Sequence, residues 1–583
     1  MKSLKLRFPK IHYLFVIFSF FSLSISALTV NRLNGGTNII YIDFSIPTST
    51  VPLELLRTYN SLTALNESNG WPGSFGWGWS SPFETTLNTT PEKNVILRDG
   101  ITANNVIFRS QKSDPKVLEQ FLVDLKRAYF EQKRSRKISK EELARLELPA
   151  KILTRLKKDI YFRAELAAKY NMPSQIPQGD VLTSNEYGFQ TITFKNNQWI
   201  REKEGLTQIF DKDGRLTRQI DKNNFYFDFK YSNLQHSQLS EIVDQDRSIS
   251  LKFTWTGDRV TECNDSRGFK AKFNYDSLGN LTSVTDSNSH TYVYKYENKK
   301  FPHLMTKVEY LSEIKGSVKP FREIRYDDNG VASYHREKDG SETFYTYGRA
   351  PSDPENSFWT KSVRKNKGVT EEQYDEYLLK ARADGTKYLY KQETKVGGVN
   401  TATVYTACCG KPSQISKNGD VTNFKYDEYG LLREKTGAKD YVKLEYDSRF
   451  RKVSKVDQNG VTSSYEYDKN GNLTKAANSK NEKVALKYDK LGRIIEMTDP
   501  EGKQISFQYG NQGKPILISQ KGVGAIRIGY NPDGKIEKTE TILTSQKGRK
   551  PSATQSQEVV RKVMRGFQHL LDILRPAGVS LAG

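Results

Sequence analysis

The chain has 583 residues but few of the side chains on which most active sites depend: three cysteines and six histidines. The cysteines are Cys263 and the adjacent Cys408 and Cys409, an odd and sparse set that excludes a disulfide framework for a large secreted fold. Cys408 and Cys409 can close a strained disulfide ring or stay as small buried thiols, and the sequence leaves both open. No histidine stands at ligand spacing from a cysteine, so no metal site is expected. Gly-rich phosphate loops, nucleophile elbows and paired His and carboxylate motifs are missing as well, which leaves no candidate catalytic residue and no cofactor. A glycosidase pair of carboxylates needs no local motif and is the remaining enzymatic alternative.

Long apolar runs are also lacking, with one exception. Lys2, Lys5, Arg7 and Lys10 precede an apolar run from Ile11 to Ile25, and Ser24, Ser26 and Ala27 close it. Residues 1–27 therefore read as a secretory signal, with an uncleaved anchor as the alternative, and the chain as exported to the periplasm, cell surface or medium. The formal charge is +22, and +18 without those four cations. Acidic residues interleave with the basic ones throughout, a pattern that argues against nucleic acid and leaves attraction to anionic envelope polymers open.

What the chain has in quantity is tyrosine, 32 of them, set at a steady period. Tyr426, Tyr446, Tyr467, Tyr488, Tyr509 and Tyr530 are separated by 20, 21, 21, 21 and 21 residues. In most units Asp follows the tyrosine and Gly comes three residues later, as in Tyr467-Asp468-Lys469-Asn470-Gly471. The aspartate can bond the amides ahead of it and the glycine can take a positive φ, so each motif predicts a hairpin turn. A second turn falls about halfway round each unit, as at Asp457-Gln458-Asn459-Gly460, leaving two strands per unit of roughly six to eight residues. Alternation in Thr462 to Tyr467 places Tyr465 and Tyr467 on one face and Ser464 and Glu466 on the other. Looser copies run upstream through Phe210, Tyr275, Tyr326, Tyr347 and Tyr405, with insertions such as Lys299 to Pro320. The candidate site residues are thus structural turn positions: Asp276, Gly279, Asp327, Gly330, Asp427, Gly430, Asp468, Gly471, Asp489 and Gly492. Asp499-Pro500-Glu501-Gly502 falls at an ordinary mid-unit turn.

These Tyr-Asp-x-x-Gly-x-aliphatic units, over about residues 200 to 540, resemble the YD-repeat family shared by Rhs proteins, the C components of insecticidal toxin complexes and the teneurin ectodomains. Pro52 to Ser61 and Gly73-Ser74-Phe75-Gly76-Trp77-Gly78-Trp79 resemble the N-terminal Rhs segment. The resemblance implies a mainly β fold, a spiralling antiparallel sheet forming a partial or closed shell, either enclosing a toxic domain or displayed for contact. Together with the export signal and the positive charge, the expected partners are an envelope polysaccharide, another cell or a partner protein, with a separately encoded cargo as the alternative.

The pattern divides the chain into a signal (1–27), an N-terminal β segment (28–111), a basic α-helical insert (112–172), the repeat sheet (173–544), and a linker with a C-terminal helix (545–583). Asp114-Pro115 reads as the start of a first insert helix, Ser139 to Glu142 as a capping box for a second, and Pro149 as the start of a third carrying Ile152, Leu153, Leu156 and Ile160. Lys112 to Lys169 holds 16 Lys and Arg against 9 Asp and Glu. The expectation is a helical hairpin packed on the sheet, with a docking arm for an anionic partner as the alternative. Val559, Val563, Phe567, Leu570 and Leu571 share one side of a helix ending before Pro576, expected to cover the last sheet edge or to touch a membrane or partner. The residues after Thr544 are too few for an ordinary catalytic domain, so the expected protein is a scaffold without its own toxin.

Overall fold

The computed structural model describes residues 28–574 except 66–72, 103, 111–114, 171, 173–175, 234–237, 247, 312–320, 383–385, 439, 533 and 544–551. The signal segment, the Asp114 cap and Pro576 lie outside the described residues.

Four short strands come first, β1 (Thr29–Val30), β2 (Thr37–Ile46), β3 (Leu53–Asn60) and β4 (Trp79–Ser80), with helix α1 (Ser61–Leu65) between the last two. They pair antiparallel in chain order as a sheet of their own. From β5 (Thr86–Thr89) to β40 (Ile536–Leu543) every strand pairs antiparallel with the next in sequence, a continuous sheet of thirty-six described strands. No ladder among the described residues joins β40 to β5, so the sheet is open, with its first and last strands as edges.

The sheet winds over itself. Phe189 packs edge-on against Tyr429, with the Arg451 guanidinium over both rings. Asn185 reaches the Glu428 carbonyl and Arg267 that of Pro532, across 243 and 265 residues of sequence. One lap of the spiral therefore takes about a dozen 21-residue units, and turns of the second lap sit on turns of the first. The β5 edge is covered within the first lap, where Leu87 donates to the Gly214 carbonyl.

Strand alternation buries one face. In β33 (Val461–Tyr467), Ser463 and Tyr465 are buried while Ser464 and Glu466 are exposed. The N-terminal sheet packs on this tyrosine face over β13 (Tyr226–Asn233) to β21 (Phe321–Tyr326), forming one cluster with Ile39, Phe44, Tyr59 and Trp79. Helix α6 (Ala553–Leu574 in chain order, after the four insert helices below) packs on the same face over β34 (Leu473–Asn478) to β40. Because both covering elements lie on it, this is the inner face. The C-terminal helix lies against the last strands, with Thr541 of β40 donating to Ser556 at 2.7 Å, and its Val559, Val563, Phe567, Leu570 and Leu571 extend over the inner face, where the repeats supply an apolar bed. The far side of β40 keeps exposed Glu537, Lys538 and Glu540, charges that discourage pairing with another strand.

The insert departs from expectation. Helices α2 (Pro115–Arg134), α3 (Lys140–Arg145), α4 (Ala150–Lys158) and α5 (Ile160–Lys169) bury Phe121, Leu125, Phe130, Ile138, Leu143, Leu148, Leu156 and Ala167 against each other in a core of their own. Their apolar stripes form this core, and the insert is tied to the sheet by a buried Arg163 to Glu92 ion pair (2.8 Å) and by Tyr161 donating to the Asn105 carbonyl. The third expected helix is two, because Asp159 leaves the helical region and its carboxylate caps the Phe162 amide. Ser139 caps Glu142, but the Glu142 carboxylate pairs with Arg134 and Arg136 and does not return to complete the box.

Candidate functional site

The repeat turns share one geometry. Asp468 Oδ1 accepts from the amides of Asn470 and Asn472, both at 2.8 Å, and the Gly471 amide closes the turn on the Asp468 carbonyl. Asp276, Asp327, Asp427 and Asp489 each accept in the same way from the residues two and four ahead. Gly279, Gly330, Gly430, Gly471 and Gly492 all have φ between 72° and 81°. The residue after the glycine often takes the second carboxylate oxygen, Asn472 on Asp468 and Arg493 on Asp489, a partnership not anticipated from the motif.

Each tyrosine sits at a register shift and donates its hydroxyl into the preceding unit. Tyr446 bonds the carbonyl of Leu432 (2.7 Å), Tyr467 that of Val453 (2.6 Å), Tyr488 that of Leu473 (2.7 Å) and Tyr509 that of Ile494 (2.6 Å). The accepting residue opens the return strand opposite the previous tyrosine, as Val453 pairs Tyr446. Burial pushes the Tyr467 phenol up to about 12. The ladder is thereby committed to stapling neighbouring units.

In the N-terminal sheet, Arg57 and Asp43 form an ion pair with both side chains fully buried, Nη2 to Oδ1 at 2.8 Å. The guanidinium lies 4.7 Å from the Trp79 ring centre and 5.4 Å from that of Phe273. Burial raises the Asp43 carboxyl and Arg57 offsets part of that rise. Trp77 stacks on His303 at 4.3 Å, and Met305 donates to the Tyr59 hydroxyl at 2.8 Å, so the Trp77-Gly78-Trp79 element anchors this sheet inside the spiral.

Between the two covered stretches the inner face changes character. Strands β23 (Glu342–Arg349), β24 (Ser357–Asn366), β25 (Val369–Ala381), β26 (Lys387–Val396), β27 (Val399–Tyr405), β28 (Pro412–Lys417) and β29 (Asp420–Tyr426) contribute to neither buried cluster. Three of them, at 10, 13 and 10 residues, are longer than the expected strands. Tyr347, Thr360, Asp375, Thr394, Thr401 and Lys417 pair in one row across them, and Phe358, Tyr377, Gln392, Thr403 and Ile415 in the next. Asp375 is fully buried and accepts from Thr394 (2.6 Å), Arg32 (3.0 Å), Gln373 (3.0 Å) and Gln392 (3.3 Å). Thr360 in turn donates to the Arg32 carbonyl at 2.6 Å, the point where the N-terminal segment meets this wall. Thr394, Thr401, Thr403 and Gln392 are half-buried. The wall is a surface for hydrogen bonding, and the Asp375 carboxylate is held by four donors. Sequence reasoning had no handle on it, because threonine and glutamine on one strand face carry no motif.

Cys408 and Cys409 lie in the turn after Tyr405, unbonded, with Sγ atoms 2.7 Å apart; Cys263 is buried in the first cluster. Among the described residues no group of three His, Cys, Asp or Glu side chains is placed to hold a metal ion.

Comparison with known proteins agrees with the strand pattern. Residues 368–521 match the Teneurin YD-shell family model, and residues 29–104 match a Domain of unknown function (DUF6531). No curated protein was found to match. Similar solved structures include TcdB2-TccC3 without its hypervariable C-terminal region, at 10% identity over 92% of this chain and 31% of that one, with a TM-score of 0.38. Another is the Photorhabdus luminescens Tc holotoxin pore, at 10% identity over 88% of this chain and 30% of that one, TM-score 0.36. The chain thus spans under a third of the length of these solved chains. With its tyrosine-aspartate units and its continuous antiparallel sheet, the chain carries a YD-repeat sheet similar, over residues 368–521, to the Teneurin YD-shell family.

Proposed function

We propose that this protein is an exported, non-enzymatic scaffold whose polar inner wall receives a polypeptide partner. The observation that carries this reading is a stretch of inner face outside both apolar clusters: the N-terminal segment reaches it only through Arg32 at Asp375 and Thr360, while Thr394, Thr401, Thr403 and Gln392 beside them stay half-buried. Hydroxyl and amide side chains in two parallel rows offer donors and acceptors that suit an extended or loosely folded chain. Export rests on the charged and apolar order of residues 1–27. On this wall the Tyr347 and Tyr426 hydroxyls are already bonded to the Ala332 and Pro412 carbonyls, which favours a protein over a sugar held by free phenols. A separately encoded cargo of a toxin system would be one such partner.

A photo-crosslinking residue at Thr403, on the wall, is compared with one at Glu393, on the outer face, in full-length protein produced in its own host. Crosslinks to a second polypeptide are expected from Thr403 and not from Glu393. No crosslink from Thr403, or equal yield from both, overturns the proposal. Release of reducing ends from envelope polysaccharide by the purified protein would favour an enzyme instead.

A further inference from the structure

The turn after Tyr405 differs from its neighbours. Thr406 stands where other units place aspartate, its hydroxyl accepts from the Lys411 amide at 3.3 Å, and Gly410, at φ 63°, returns to the Thr406 carbonyl. Across this turn Cys408 and Cys409 hold their Sγ atoms 2.7 Å apart, Cys409 also lying 3.2 Å from the Thr406 hydroxyl. Cys408 is exposed and Cys409 half-buried. Arg382 donates to the Ala407 carbonyl at 2.7 Å, so the turn is braced from the neighbouring hairpin while the Cys408 thiol stays exposed and that of Cys409 lies beside Gly430.

We infer that Cys408 and Cys409 form a reversible redox pair that a small-molecule disulfide converts to a disulfide between adjacent residues. The balance is a two-electron exchange. One thiolate attacks the reagent disulfide and releases one reagent thiol; the neighbouring thiolate then attacks the mixed disulfide and releases the second. Two protons leave the pair, and the reagent gains two electrons and two protons.

The geometry also says which kind of disulfide this is. Adjacent Cα atoms stand about 3.8 Å apart across a trans peptide, below the usual range of about 4.4 to 6.8 Å for bridged cysteines. Such a ring is strained, and strained exposed disulfides are the easily reduced kind. The pair is therefore a labile site in a turn and not a brace for the fold, which the Asp-Gly turns already hold. Burial, and then the bond from Cys409, raises the Cys408 thiol, so exchange is faster on the alkaline side. Cys263 is buried in the N-terminal cluster and serves as an internal reference.

The test oxidises the purified full chain with excess oxidised glutathione, blocks remaining thiols under denaturing conditions, and weighs the intact protein. The expected product is monomeric, lighter by two hydrogen atoms, with one blockable thiol where the reduced protein has three, and dithiothreitol restores all three. C408S and C409S are each expected to lose this product and to carry one glutathione instead. Stable glutathione adducts on the wild-type chain, disulfide-linked dimers, or loss of the Cys263 thiol with the pair intact overturn the inference. Either serine variant melting far below the reduced wild type would also count against it, since the thiols are placed outside the fold's supports.

Discussion

The Tyr467 hydroxyl donates at 2.6 Å to the carbonyl of Val453, fourteen residues back and one unit earlier. That carbonyl belongs to the residue that opens the return strand opposite Tyr446, where the ladder shifts register and a backbone group would otherwise lack a partner. The period of the sequence is thus a period of cross-unit bonds.

Replacing Tyr467 with Phe keeps the ring and removes the bond. A loss of about 1 kcal/mol is expected, the net worth of one hydrogen bond, rising toward 2 or 3 if the Val453 carbonyl finds no water. Hydrogen exchange should quicken at the hairpins holding Val453 and Tyr467 and stay unchanged in the first lap, because neighbouring units carry the coupling. Uniform acceleration throughout the sheet would show that the staple is not local.

The contact between laps can be tested at one glycine. A Cβ at Gly492 would stand 2.2 Å from the Asn223 side chain, whereas at Gly460 nothing lies within 4 Å. Both have positive φ, 73° and 84°. Alanine at either position pays the left-handed backbone cost of about 1 kcal/mol. Gly492→Ala should melt lower than Gly460→Ala, and Asn223→Ala should remove the difference. Equal melting of the two alanine variants would mean that the second lap does not rest on the first at this point.

The turns were legible in the sequence because their chemistry is local: an aspartate bonds amides two and four residues ahead and a glycine takes a positive φ. The tyrosine period showed the strands for the same reason, and the mainly β spiral followed from it. Partners far apart in sequence were not legible. Arg32 on Asp375, Arg57 on Asp43 and Phe189 against Tyr429 join residues that no spacing rule connects. The helix boundary at Asp159 was missed because an apolar stripe runs on through it in sequence, while the chain uses the carboxylate as a cap. The extension of α6 over the apolar inner bed of the last units is what an argument from the sheet edge alone overlooks.

Lys452 should make the seam sensitive to pH. It donates to the Gly471 carbonyl at 2.6 Å, and burial together with the nearby Lys222 ammonium lowers its pKa from 10.5 to about 8. Asp468 partly offsets this. Between about pH 8 and 10 the folded chain has released this proton while the unfolded chain keeps it, so raising the pH favours the folded state. Below pH 8 both states hold the proton and the repulsion is felt in full. Lys452→Gln should melt higher than wild type at pH 7, with the gap closing toward pH 10. Above that the buried tyrosines act in the opposite sense, since unfolding lets them ionise, so the comparison is read below it. A gap that stays constant from pH 7 to 10 would remove Lys452 from the seam's electrostatics.

The buried pair in the N-terminal sheet sets the largest expected effect. Asp43 and Arg57 are both shut off from solvent, and the aromatic rings of Trp79 and Phe273 close over the guanidinium. Asp43→Ala leaves that cation without its counter-ion, a change that costs roughly 3 to 5 kcal/mol in comparable buried pairs. Replacing both residues, Asp43→Leu with Arg57→Met, removes the stranded charge and should recover most of the loss. Because this sheet covers the inner face from β13 to β21, the single variant should also expose Phe253, Phe273 and Ile324 and bind a hydrophobic dye, while the double variant should not. The two melting temperatures together with dye binding distinguish a pair kept for packing from one that holds the N-terminal sheet in place. If the single variant melts with the wild type and binds no dye, the N-terminal sheet does not depend on the pair. If the double variant melts as low as the single one and still binds dye, the pair supplies an orientation that apolar residues cannot replace.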